Sequence, residues 1–160
     1  MELTESEIDR LINCCKTITD PPRRDMAEEN GHRRNDFRCA AIDGDERFRV
    51  FMRQNVKFPD SFSVGLVHRM PGGTEITLFR CNGPHGEVLE DPRGGASKPH
   101  FGFHVHRASV INIASGRSPE AGGAITKEYG TFEDAVTYFL DRCGIVDAQS
   151  HFPQLGNRTY

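Results

Sequence analysis

The chain has 160 residues, 36% of them hydrophobic, and a formal net charge of -3 at pH 7. This length fits a single domain, residues 1–160, whose core needs neither disulfides nor metal ions. The small negative charge argues against an extensive nucleic-acid-binding surface, although arginines can still be concentrated locally. The acidic start and the lack of a long apolar run predict a cytoplasmic protein with no signal peptide and no membrane segment.

The cysteines point to the same compartment. They are odd in number and have no CxxC spacing, so they are interpreted as reduced structural thiols. The five are Cys14, Cys15, Cys39, Cys81 and Cys143.

The first predicted element is an N-terminal helix within residues 1–20. Thr4 and Glu7 have the spacing of a capping box, apolar residues follow at helical spacing, and a pair of prolines prevents continuation. The charged stretch 22–35 predicts an exposed loop, with a phosphate-binding arm as the alternative.

Alternating apolar and polar residues predict an antiparallel meander of about five strands over residues 36–113. The Asp43-Gly44 step is typical of a hairpin between its first two strands. A short further strand is expected at 124–126. Residues 82–99 are rich in glycine and proline and are predicted to form a loop, and loops of this length are often functional.

One strand of this sheet carries a row of arginines. Arg47, Arg49 and Arg53 share a face with Phe51, while the intervening positions are apolar. This face is interpreted as a solvated outer surface, or alternatively as a groove for a polyanion.

The stretch 98–107 is the most informative part of the chain. A period of two places His100, His104 and His106 on one face, and phenylalanine and valine on the other. Gly102 leaves a gap between the histidines. The strand is expected to continue to Ile113.

The clearest helix signal covers residues 131–144, and the tail at 147–160 has no periodic pattern. Both helices have one apolar stripe, so both are expected to cover a face of the sheet. The predicted fold class is therefore α+β, with an antiparallel sheet flanked by an N-terminal and a C-terminal amphipathic helix.

General acid–base catalysis is the first interpretation of the histidines. Histidine titrates near neutral pH, so a pair can remove one proton while it donates another. Cleavage of RNA needs little more, because the 2′-hydroxyl group is itself the nucleophile and no metal is required. His104 and His106 would be the acid and the base, and His85 or Lys98 would reach the site from the loop.

Two other interpretations remain open. An HxH pair on a strand can hold a zinc ion, with His85, His100, His104 and His106 as the candidate ligands. Alternatively, the histidines lie on an exposed face that packs or binds a partner protein. A serine or cysteine nucleophile is not favoured, since no nucleophile-elbow motif is present.

Four stretches resemble a family of small uncharacterised bacterial proteins, a domain of unknown function. They are Leu3–Glu7, Gly83-Pro84-His85, Pro99–Arg107 and Phe132–Ile145. The residues from His100 to Phe103 depart from the family pattern, and the family implies no activity. The layout of a helix followed by an antiparallel sheet with polar histidines is also similar to small toxin-type ribonucleases.

The sequence thus favours a metal-independent endoribonuclease in a toxin or phage-defence setting. His104, His106 and His85 would be catalytic and no cofactor would be needed. The phosphates would be held by Arg47, Arg49, Arg53 and Lys98 if the arginine and histidine faces coincide. The alternatives are a non-catalytic module that binds an antitoxin or regulatory protein, and a zinc-dependent hydrolase.

Overall fold

The structure is a computed structural model that describes residues 3–84 and 102–152. It has the α+β architecture expected from the sequence. The strands are β1 (Lys16–Asp20), β2 (Ala27–Glu29), β3 (His32–Ala41), β4 (Arg47–Asn55), β5 (Phe62–Arg69), β6 (Glu75–Asn82), β7 (His104–Arg107) and β8 (Ala124–Ile125). The helices are α1 (Glu5–Asn13), α2 (Val110–Ala114), α3 (Phe132–Arg142) and α4 (Ala148–His151).

All eight described strands belong to one antiparallel sheet, larger than the expected sheet of about five strands. From β3 to β8 each strand pairs with the next along the chain, which is the predicted meander. β1 and β2 both pair with β3. The turn at Asp43-Gly44 joins β3 to β4, as its sequence indicates.

One face of the sheet is covered by α1 and α3, and we call the opposite face the outer face. Along β4 the core residues Phe48, Val50 and Met52 are buried, whereas the alternate side chains project from the outer face. Thr4 and Thr131 cap the two helices, each accepting a hydrogen bond from a backbone N–H three residues later. The two predicted amphipathic helices therefore form where their capping signals lie.

The N-terminal helix is shorter than expected, because α1 ends at Asn13 and residues 16–20 form β1. Lys16 accounts for this ending. Its side chain is fully buried, and its ammonium group donates to the carbonyl oxygens of Ile12, Cys14 and Cys143. A positive charge at the C-termini of two helices stabilises both ends.

The stretch 22–35 is likewise not a simple loop, since it contains β2 and the first part of β3. Asn30 and Gly31 have φ angles of 52° and 80°, and Glu29 pairs with His32 across them. This is a two-residue hairpin turn of the kind that Asn-Gly favours.

The strand that contains the histidines also ends earlier than expected. β7 stops at Arg107, and residues 110–114 form α2 instead of continuing the strand to Ile113. The Ser109 hydroxyl oxygen accepts a hydrogen bond from the N–H of Asn112 and so caps this helix. No helix in the described chain has the length and apolar character needed to cross a membrane.

Candidate functional site

The two histidines of β7 lie side by side on the outer face. Their ring centroids are 4.9 Å apart with the ring planes at 74°. His104 is 0% exposed and His106 is 4% exposed, so the pair is buried. Val105 and Arg107 project from the opposite face, where Arg107 forms ion pairs with two carboxylates of α1.

Backbone carbonyl groups fix both imidazole rings. The Nδ1 of His104 lies 2.8 Å from the carbonyl oxygen of Gly102, and that of His106 lies 2.5 Å from Gly122 and 3.0 Å from Glu120. Because carbonyl oxygens only accept, Nδ1 must carry the hydrogen in both rings. In a neutral ring Nε2 is then the basic nitrogen.

The connection between α2 and β8, residues 115–123, covers the histidine pair. A side chain at Gly123 would bring its Cβ to 3.1 Å from His106 and 3.2 Å from His104. Asn112 holds this connection in place, donating from its amide nitrogen to the carbonyl oxygens of Pro119 and Ala121. The cover is therefore a close fit in which glycine leaves room for the rings.

Two polar residues of β6, which were not among the predicted site residues, flank the pair. Arg80 lies opposite His106 in the sheet, and Asn82 lies opposite His104. The guanidinium group of Arg80 is 3.7 Å from the Glu120 carboxylate, and its Nε is shielded from solvent without a hydrogen-bond partner among the described residues. Because Phe79 and Cys81 are buried core residues, the period of two already places Arg80 on the outer face.

Hydrogen bonds from neighbouring residues hold Asn82 and His104 in place. The Ser63 hydroxyl lies 2.9 Å from Oδ1 of the buried Asn82. The Tyr129 hydroxyl donates to the main-chain oxygens of Asn82 and His104, at 3.0 and 2.8 Å, and so bridges β6 and β7. Burial raises the pKa of Tyr129, so the phenol remains a donor.

The register of the sheet places the predicted arginines on the same face as the histidines. Residues that pair directly across neighbouring strands project to the same side. One such row contains Arg53, Ser63, Asn82 and His104, and the next contains Phe51, Gly65, Arg80 and His106. The two faces therefore coincide, a point that the sequence alone left open.

The distance between the two groups limits what they can do together. Three strand spacings separate β4 from β7, or about 14 Å. Arg47, Arg49 and Arg53 therefore cannot contact the same phosphate as the histidines, whereas Arg80 is one strand away from them. An extended ligand is needed to connect the two groups.

Some of the predicted site residues lie outside the described residues, namely His85, Lys98 and His100. Within the described ranges no group of three or more His, Cys, Asp or Glu side chains is placed to hold a metal ion. His104 and His106 can supply two of the nitrogen ligands that a zinc site would need. The described residues alone do not complete such a site.

The other titratable groups of the core have structural roles. His68 lies against the Phe48 ring on the core face, and burial lowers its pKa, as expected for a core histidine. The five cysteines are free thiols. Burial raises the pKa of Cys39 to about 12 and that of Cys143 to about 12, so these two remain protonated and unreactive.

No family model, curated protein or solved structure matches the chain. The resemblance to an uncharacterised bacterial family and to toxin-type ribonucleases therefore stays a prediction.

Proposed function

We propose that the protein is a metal-independent endoribonuclease that cleaves RNA at the histidine pair of β7. One observation supports this above the others: the sheet register puts His104 and His106 on the same face as the arginine row of β4. A linear polyanion can lie along such a face and contact both groups. A ligand the size of a single phosphate cannot.

The proposed reaction needs one base and one acid. One imidazole takes the proton of the 2′-hydroxyl through Nε2, and the oxygen attacks the neighbouring phosphorus. The other imidazole, protonated, gives its proton to the departing 5′-oxygen, so a 2′,3′-cyclic phosphate and a 5′-hydroxyl form. His85 and Lys98, which lie outside the described residues, remain part of the proposal as a third catalytic group and a phosphate ligand.

The closeness of the rings suits these two roles. Two imidazolium charges 4.9 Å apart would repel each other by about 3 kcal/mol at an effective dielectric constant of about 20. The pair therefore holds one proton more readily than two. One protonated and one neutral imidazole is the state that the proposed acid–base cleavage uses.

Among the described arginines, Arg80 has the best position to stabilise the negative charge that develops on the phosphate oxygens as the 2′-oxygen attacks phosphorus. It lies beside His106 in the sheet and offers a shielded Nε–H. Charge-assisted hydrogen bonds from arginine are strong and match the geometry of phosphate oxygens. We assign Arg80 to the scissile phosphate, and Arg47, Arg49 and Arg53 to phosphates further along the RNA strand.

Burial of the rings sets a condition on the mechanism. RNA reaches the pair only when the connection 115–123 moves away from His104 and His106. We therefore expect this cover to open, and substrate binding to compete with the hydrogen bonds between Asn112 and the cover.

A zinc-dependent hydrolase is the second candidate. Its supporting observation is that both imidazoles donate Nδ1–H to backbone carbonyls, as histidines that bind a metal through Nε2 do. His104 and His106 would hold the ion together with His85 or His100. Zinc would supply an activated water molecule when bound.

RNA cleavage in the presence of excess chelator tests the proposal. We expect the protein to cut a labelled RNA in EDTA, and His104→Gln and His106→Gln each to reduce the rate by at least 100-fold, about the contribution of one acid or base. His151→Gln on α4 is the matched control and should cut at the wild-type rate. Cleavage that EDTA abolishes and zinc restores would favour the hydrolase. Intact RNA under both conditions would refute both activities and leave binding of an antitoxin or regulatory protein as the explanation.

A further inference from the structure

A pocket lined by four arginines lies on the outer face, away from the histidines. Its volume is about 330 Å³. The charged side chains that line it are Arg38, Arg47, Arg49, Arg69 and Glu75. Four positive charges thus share one lining carboxylate in a chain whose net charge is negative.

The arginines are arranged as like-charge pairs. Arg38 lies directly opposite Arg49, and Arg47 lies directly opposite Arg69. Like charges in such positions destabilise a sheet. Glu75 offsets part of this cost through an ion pair of 2.8 Å with Arg49.

Further charges near the pocket do not neutralise it. The hydrogen bond from Arg49 and the charges of Arg69 and Arg38 lower the pKa of Glu75, so this carboxylate is already ionised at neutral pH. Asp20 of β1 lies opposite Arg38 at the edge of the sheet. Counting both carboxylates, the four arginines still leave a net charge of about +2 at this place.

An aromatic ring lies beside the pocket on the outer face. Phe51 is flanked on β4 by Arg49 and Arg53, and its ring lies over Gly65 of β5. A side chain at Gly65 would clash with this ring, since its Cβ would be 2.2 Å from a ring carbon. Phe51 also shares a cross-strand row with Arg80 and His106.

We infer that the outer face binds single-stranded RNA, with phosphates in the arginine pocket and a base stacked on Phe51. This inference rests on the proposed function and adds the substrate class. Bases in a duplex are stacked on each other and cannot stack on a side chain, whereas bases of a single strand can. The pocket is two to three strands from the histidine pair, about 10 to 15 Å, so the bound strand spans several nucleotides.

Binding of a probe that cannot be cleaved tests this inference on the full chain. The probe is a fluorescein-labelled 2′-O-methyl oligo(U) of about 12 nucleotides, in which the nucleophile of the proposed reaction is blocked. We expect the double variant Arg38→Gln/Arg69→Gln to bind more weakly and to lower the slope of log Kd against log salt by about 0.7 for each phosphate that it no longer binds. The double variant Lys57→Gln/Lys127→Gln, at two exposed positions, is the charge-matched control and should leave both values unchanged.

Phe51 gives a second, independent readout. Phe51→Leu should weaken binding about 5- to 150-fold without changing the salt slope, because stacking is lost and no charge is removed. Phe51→Tyr keeps an aromatic ring and should restore binding. A thermal melt of each variant confirms that it is folded.

The outcomes separate this inference from the proposed activity. If the wild-type protein does not bind the probe, if the pocket and Phe51 variants bind like wild type, or if a duplex RNA binds at least as tightly, the inference is wrong. If the variants bind as expected but the wild-type protein cuts no RNA, the binding face stands and the nuclease proposal falls. If the wild-type protein cuts RNA but the Phe51 and pocket variants bind the probe like wild type, the nuclease proposal stands and the inferred binding face is wrong.

Discussion

Replacing Lys16 with methionine should destabilise the fold substantially. The ammonium group is buried and makes three hydrogen bonds of 2.8 to 2.9 Å to carbonyl oxygens at the ends of α1 and α3. It also lies 4.7 Å from the centre of the Phe48 ring. Lys16→Met keeps the apolar stem but removes every donor.

The size of the effect follows from two opposing contributions. Three buried carbonyl groups that lose a donor cost about 1 to 3 kcal/mol each. Removal of a buried charge returns several kcal/mol of desolvation free energy. We therefore expect a net loss of about 2 to 4 kcal/mol, which corresponds to a decrease in Tm of about 4 to 15 °C for a chain of this size.

Urea denaturation followed by circular dichroism measures this loss, with Lys57→Met as the control. Lys57 is exposed, and its substitution should change the free energy of unfolding by less than about 0.5 kcal/mol. If Lys16→Met were as stable as the wild-type protein, Lys16 would not be what ends α1 and starts β1.

Three further predictions concern the arginine pairs, the core histidine and the cover of the site. Arg47→Gln removes the like-charge pair with Arg69, while its other cross-strand neighbour is Ala40, so it should raise the free energy of unfolding by about 0.2 to 1 kcal/mol and weaken RNA binding; a less stable variant would contradict the pairing argument. Burial lowers the pKa of His68, so the unfolded chain binds a proton more readily and stability should fall as the pH drops below about 6.5. His68→Leu should flatten this dependence between about pH 7 and pH 5 in urea titrations, and an unchanged slope would assign it to other groups. Gly123→Ala places a methyl group against the rings of His104 and His106 and should reduce the proposed RNA cleavage, whereas Gly130→Ala, where no atom lies within 4 Å of the new Cβ, should not; equal activities would show that the cover does not constrain the pair.

Local signals in the sequence predicted the elements that depend on local interactions. The capping residues Thr4 and Thr131 mark where α1 and α3 begin, and Gly144, with a φ angle of 69°, follows the end of α3. The Asp43-Gly44 turn and the alternation of β4 and β5 predicted the meander. Each of these signals lies within, or within two residues of, the element that it specifies.

The sequence did not predict β1, the β2–β3 hairpin or α2. Their formation depends on contacts between residues that are distant in the sequence, or on local signals that neighbouring residues outweigh in the sequence pattern. Residues 16–20 form a strand because Lys16 reaches the ends of two helices that are far apart in the sequence. The hairpin at Asn30-Gly31 has a turn signal, but the arginines and glutamates around it resemble a solvated loop. In α2 the cap at Ser109 outweighs the strand preference of valine and isoleucine.

The candidate site was predictable in its residue types and not in its surroundings. The period of two correctly placed His104 and His106 on one face, and the same period along β6 would have identified Arg80. Their burial was not predictable, because it comes from the connection at 115–123, which folds back over β7. That the histidines and the arginines of β4 share a face was not predictable either, because it depends on how four strands pair with one another and not on the sequence of any one strand.

The chemistry of the cut ends tests the proposed acid–base cleavage most directly. RNA is incubated with the purified protein in excess chelator, and the termini of the products are identified by mass spectrometry. We predict 2′,3′-cyclic phosphate and 5′-hydroxyl ends, the loss of both in His106→Gln, and no cut beside a nucleotide that lacks the 2′-hydroxyl group. Products with 5′-phosphate ends, a requirement for zinc, or RNA that remains intact would contradict this mechanism.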